Sequence, residues 1–126
     1  MARGRASVRI AANFERNLEA IEAFLAKAGA PQAYHALLDV LAGTVIPNLE
    51  NHPRIGRPFL ERPAQSIEAR ERIRMLKART DAGELREYLS GDYLMLYALI
   101  GTTVYLLAIK HHRQLSFDLG AHWLSP

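Results

Sequence analysis

The amino-acid sequence predicts an α+β fold: an N-terminal strand and an α-helical hairpin packed on a C-terminal antiparallel sheet. Three patterns carry that expectation. "SVRIAA" at 7–12 sets Val8 and Ile10 against Arg9, the period-two alternation of a short strand. Two apolar stripes at helical spacing follow it. Last, "ELREYLSGDYLMLYALIGTTVYLLAIK" at 84–110 is divided by Gly91-Asp92 and Gly101-Thr102 into pieces of about seven or eight residues, the usual length of a strand.

Asn13 reads as an N-cap, and behind it Phe14, Leu18, Ile21 and Leu25 recur at spacings of four and three, with Glu15 in the first turn complementing the helix dipole. Gly29 and Pro31 end this helix and begin the next, whose stripe is Tyr34, Leu37, Leu38, Leu41, Val45 and Leu49. Pro47 lies inside that stripe, where its ring opposes the carbonyl of Gly43. The expectation is a kinked or interrupted helix that ends by 51–53. "HPRIGRPFLERP" at 52–63 reads as a Pro- and Arg-rich loop. An extra helix inserted before the meander is expected from Ser66 to about Arg79. Its five basic residues, Arg70, Arg72, Arg74, Lys77 and Arg79, are interleaved with Glu68 and Glu71, the pattern of a solvated, salt-bridged face rather than a nucleic-acid contact.

The apolar run at 93–110 also raises the possibility of a membrane helix. A span needs about 20 apolar residues; this run is shorter, is broken by Gly-Thr-Thr, and has no second hydrophobic span beside it. Three strands joined by tight turns fit better. "YLMLYALI" is apolar on both faces, as a covered central strand requires, whereas "ELREYLS" alternates as an edge or half-buried strand does.

Composition bounds the function. A chain of 126 residues supports a single domain, expected to span 1–126. Without cysteine there is no disulfide frame, thiol nucleophile or Cys-based zinc site, so any catalysis must use His, Arg, Lys or carboxylates. The formal charge of +3, with Arg far commoner than Lys, favours an anionic partner only weakly. The basic opening "MARGRASVRI" lacks the apolar core of a secretory signal, so a cytoplasmic location is expected.

Candidate site residues fall in three places. Arg54 and Arg57 flank Ile55-Gly56 in the Pro/Gly loop; they either contact a partner or pair with Glu50 or Glu61. Lys110, His111, His112 and Arg113 end the last strand, with Arg86 on a neighbouring one; His moves protons and Arg and Lys stabilise a pentavalent phosphate, the minimum for RNA transesterification. Adjacent strand residues point to opposite faces, so His111 and His112 do not suit one metal ion, and neither a metal nor a cofactor is expected. His35, His52 and His122 are isolated and read as surface or cap residues. Trp123 sits in the tail "GAHWLSP", as a lid on the core or a partner's anchor.

The order of elements resembles the RelE/ParE superfamily of toxins from bacterial type II toxin-antitoxin systems. "NLENHPRIGRPF" at 48–59 is similar to the family's Pro and Gly-Arg motif after the hairpin, "LREYLSGDYLMLYAL" at 85–99 to its meander, and "TVYLLAIKHHRQLSF" at 103–117 to its last strand and tail. The resemblance implies a cognate antitoxin whose C-terminal segment wraps the toxin. It also implies one of two activities: messenger-RNA cleavage on the ribosome, or binding and poisoning of DNA gyrase. In the RNase branch an Arg follows the first Tyr of the second meander strand and a Tyr lies near the chain end; here those places hold Leu94 and Phe117. Leu94 cannot bind a phosphate and Phe117 has no hydroxyl for proton transfer. The expectation is therefore a ParE-like toxin acting by binding, with Arg54, Arg57, Lys110 to Arg113, Phe117 and Trp123 as contact residues. The alternative is a RelE-like endoribonuclease using Arg86, His111, His112 and Arg113.

Overall fold

The computed structural model describes residues 5–59 and 83–111. Strand β1 (Ser7–Ile10) leads into helix α1 (Ala12–Lys27), which is followed by α2 (Pro31–Val40), a five-residue π turn (Leu41–Val45), α3 (Ile46–Asn51) and a two-residue strand β2 (Arg57–Pro58). The meander comprises β3 (Glu84–Ser90), β4 (Tyr93–Ile100) and β5 (Thr103–His111). The helix expected at 66–79 lies outside the described residues.

The three meander strands have the bounds their turn signals dictate. Gly91 and Gly101 each open a two-residue hairpin loop with φ near +60°, a conformation only glycine adopts cheaply. The 93–110 run is thus two strands; among the described residues no helix is long and apolar enough to cross a membrane.

The sheet order is β1-β5-β4-β3-β2. Its meander is antiparallel as expected, but β1 pairs with β5 in parallel, so the sheet as a whole is mixed. The helical hairpin carries the chain from β1 at one edge of the sheet to β2 at the other, which leaves the flank of β1 open for the last strand, β5. The short β2, which sequence reading leaves inside a loop, pairs antiparallel with β3 through Arg57↔Glu87 and Pro58↔Arg86.

The interruption expected at Gly43 and Pro47 takes the form of the π turn. Widening the helix lets the amide of Ile46 bond the Leu41 carbonyl five residues back and draws the coil away from the Pro47 ring, which then sits in the first turn of α3. The face that reaches the core is Leu37, Leu41, Val45 and Leu49, with Phe14 from α1; Leu38, grouped with this stripe in sequence, is exposed. These residues meet Met95, Tyr97, Val104 and Leu106 on one face of the sheet. Leu94, Leu96, Ala98, Leu107 and Ala108 are buried on the other. Strand β4 is buried on both faces, as its unbroken apolar run requires.

Asn13 is not the N-cap. Ala11 holds that place, without a side-chain cap, and Asn13 lies inside α1, buried, with Nδ2 donating to the carbonyl of Leu107 at 2.9 Å. A non-local carbonyl has taken the side chain that a local preference would have used.

Candidate functional site

Two features of the fold offer a surface for binding. The first is the loop at 52–57, which packs against the sheet instead of swinging free. Gly56 is buried, and its amide donates to the Tyr97 hydroxyl at 3.0 Å, which in turn donates to the Pro53 carbonyl at 2.8 Å. Arg86 completes the clasp from β3, giving Nε to the Gly56 carbonyl at 2.8 Å and Nη2 to the Arg54 carbonyl at 3.2 Å. A side chain at 56 would put its Cβ 2.3 Å from the Glu87 carbonyl oxygen and 2.8 Å from the Tyr97 ring, so the close approach demands glycine.

The clasp displays Arg54, Ile55 and Arg57 to solvent. Among the described residues Arg54 binds Glu84 at 2.8 Å and Arg57 binds Glu87 at 3.0 Å, while Glu50 pairs with Arg5; Glu61 lies outside the described residues. The register β2–β3, invisible in the sequence, sets Arg57 opposite Glu87. The Arg54 hydrogen bond holds the Glu84 carboxyl below its ordinary value. The Arg54–Glu84 pair is exposed on both sides, so a partner carboxylate competes for Arg54 at little cost, whereas the Glu87 carboxyl is buried and holds Arg57 more firmly, leaving the outer face of its guanidinium to a partner.

Burial pushes the Tyr97 phenol above its ordinary value. Folding thus favours the neutral phenol, whose contribution is complete below pH about 10 and is lost as pH rises through the higher folded-state value. We expect Tyr97→Phe to cost about 1–3 kcal/mol, because the Gly56 amide and Pro53 carbonyl lose their partner. Its unfolding free energy should fall less steeply than wild type's above pH 10. Urea titrations of the two proteins between pH 8 and 11 check both points.

The second feature is a groove of about 930 Å³ between the helical hairpin and the end of the sheet. Ile21, Phe24 and Leu25 from α1 and Leu37 and Val40 from α2 form its apolar walls; Tyr93 and His111 close its end. Phe24 is 69 % exposed, and Leu38 and Val40 are also exposed. Tyr93 and His111 stand opposite each other on β4 and β5, ring centroids 5.6 Å apart, edge to face. Burial, then the nearby Asp92 charge, raises the Tyr93 phenol.

The basic residues singled out in sequence are not assembled into one constellation within the described residues. Arg86 pairs across from Tyr97 and His111 from Tyr93, four residues apart on β4, or about 13 Å along the strand. Arg86 is occupied by the loop carbonyls and Glu84. Lys110 is buried, on the sheet face opposite His111, which corrects its expected place among exposed contacts. His112, Arg113, Phe117 and Trp123 lie outside the described residues. Sequence reasoning missed Tyr97, Asn17 and Phe24 as site residues. Phe24 carried a usable signal: a large apolar residue flanking the α1 stripe widens it beyond what one sheet face covers.

A mixed sheet carrying a helical hairpin after its first strand, with a Gly-Arg loop clasped to the meander, defines the RelE/ParE fold class. Residues 8–116 match the family model of the ParE toxin of the type II toxin-antitoxin system parDE, and the chain belongs to that family. No curated protein is similar enough in sequence to count as a match.

Proposed function

We propose that this ParE toxin acts in the cytoplasm by binding and poisoning DNA gyrase, and that its cognate antitoxin neutralises it as a hetero-oligomer by seating an apolar segment in the groove beside Phe24. Among the described residues, the separation of Arg86 from His111 supports binding over cleavage. An RNase must bring a proton carrier and a phosphate-binding cation to one phosphate, whereas Arg86 is engaged in the loop clasp about 13 Å along β4 from His111. Leu94, where an RNase would carry Arg, is buried on the opposite face from His111. The ParE family match supports the same branch.

Binding energy then lies in exposed side chains on a fixed backbone, and Arg54 and Arg57 meet that description. Purified protein should inhibit gyrase supercoiling or stabilise its cleaved DNA complex, with translation unaffected in the first minutes. Arg54→Ala or Arg57→Ala should relieve growth arrest while leaving the circular dichroism spectrum unchanged. Translation arrest that precedes any effect on supercoiling would assign the chain to the RNase branch instead.

A further inference from the structure

The β4–β5 ladder changes register between Leu96 and Tyr97: Tyr97 pairs with Leu106, Leu96 with Ala108, and Leu107 is the extra residue of a bulge. An inserted residue reverses the alternation of everything downstream. Leu106 faces the helices, and a regular strand would have placed Ala108 and Lys110 beside it. With the bulge, Ile109 and His111 face the helices instead and Lys110 is carried to the other side.

A bulge also turns different backbone groups towards the open edge of β5. Strand β1 covers that edge only as far as Leu106, whose carbonyl accepts the Ala11 amide. Beyond it, two side chains one helical turn apart take over. Asn13 donates to the Leu107 carbonyl at 2.9 Å, and the Ile109 amide donates to Asn17 Oδ1 at 3.1 Å. Both asparagines are buried, and Arg16 bonds Asn13 Oδ1 at 2.8 Å, which fixes the amide's orientation with its donor towards β5.

We infer that Asn13 and Asn17 are positioning residues that select the groove's chemistry: by holding the bulge they present the His111 imidazole, edge-on to Tyr93, in place of the Lys110 ammonium. The groove therefore accepts an apolar or aromatic residue at this end, where a slipped strand would offer a cation to an acidic one. The consequence for a partner rests on the groove being the antitoxin's seat; the register itself does not.

Disulfide trapping reads that register directly, since the chain has no cysteine of its own. Tyr93→Cys paired with His111→Cys should crosslink under mild oxidation at least about tenfold faster than Tyr93→Cys paired with Lys110→Cys, because only directly opposed side chains on one face come within disulfide reach. In an Asn13→Ala/Asn17→Ala background that preference should collapse or invert. Two conservative variants separate positioning from general stability. Asn17→Asp keeps the acceptor for the Ile109 amide and should keep the preference. Asn13→Asp, held ionised by Arg16, sets an oxygen against the Leu107 carbonyl and should lose it. Unchanged preference in the double alanine variant, or equal behaviour of the two aspartate variants, overturns the inference. Because no partner enters the measurement, its failure is distinct from a failure of the antitoxin to bind.

Discussion

Gly56→Ala should lower the unfolding midpoint by on the order of 10 °C, whereas Gly43→Ala should leave it unchanged or raise it slightly. The contrast isolates close approach from glycine content. At position 56 the new methyl meets the Glu87 carbonyl oxygen at 2.3 Å and the Tyr97 ring and hydroxyl at 2.8 Å. A backbone oxygen in a paired strand has nowhere to go, so the loop must lift. Lifting breaks the Gly56–Tyr97 and Arg86–Gly56 hydrogen bonds. Overpacking of this kind costs about 1–3 kcal/mol and the lost bonds about 1 kcal/mol each, together about 3–5 kcal/mol, and 1 kcal/mol corresponds to roughly 2–8 °C over this size range. At position 43 a new methyl would meet no atom of another described element within 4 Å, and alanine is the better helix former by about 1 kcal/mol. Thermal melts followed by circular dichroism decide it; equal midpoints for the two variants would show that the loop is not clasped. Because the clasp also fixes Arg54 and Arg57, Gly56→Ala should weaken target binding at temperatures where it is still folded.

What the sequence made legible was local. Gly91 and Gly101 mark their own hairpin turns, the four-residue recurrence from Leu37 to Leu49 marks its own helix face, and Pro47 announces the break that the π turn resolves. What it hid was set by partners distant along the chain. Nothing in "SVRI" states that it will lie parallel to residues 103–106. Nothing in "TVYLLAIKH" marks Leu107 as a bulge, since both alternations of that apolar run bury equally well, and the choice between them placed Lys110 and His111 on opposite faces from those a regular strand would give. Asn13 departs from its expected cap role for the same reason. A cap preference is worth about 1 kcal/mol, less than leaving a buried carbonyl without a donor, which costs about 1–3 kcal/mol. The candidate site divides along the same line: Arg54 and Arg57 were legible as displayed residues, but their partners Glu84 and Glu87, and the Tyr97 hydroxyl beneath them, depend on the β2–β3 and β3–β4 registers.

Phe24→Asp should abolish neutralisation by the antitoxin while leaving toxicity intact. Phe24 projects from the groove wall with 69 % of its surface exposed, so the folded chain gains little from it and the substitution should move stability by no more than about 0.5 kcal/mol. In a complex its place changes. An exposed aromatic ring on the wall of an apolar groove that Ile21 and Val40 also line has the chemistry of a binding hot spot, where truncation costs about 2 kcal/mol or more, roughly 30-fold in Kd. A carboxylate adds the penalty of carrying a charge into that contact, which brings the expected loss to about 100-fold or more. Arg54→Ala and Arg57→Ala, on the clasped loop, should behave in the opposite sense, relieving toxicity while leaving the antitoxin complex in place. Growth assays with and without the antitoxin, together with titration calorimetry of the purified pair, separate the two surfaces. Undiminished antitoxin affinity of Phe24→Asp would remove the groove from the neutralising interface and leave the loop as the shared contact of target and antitoxin.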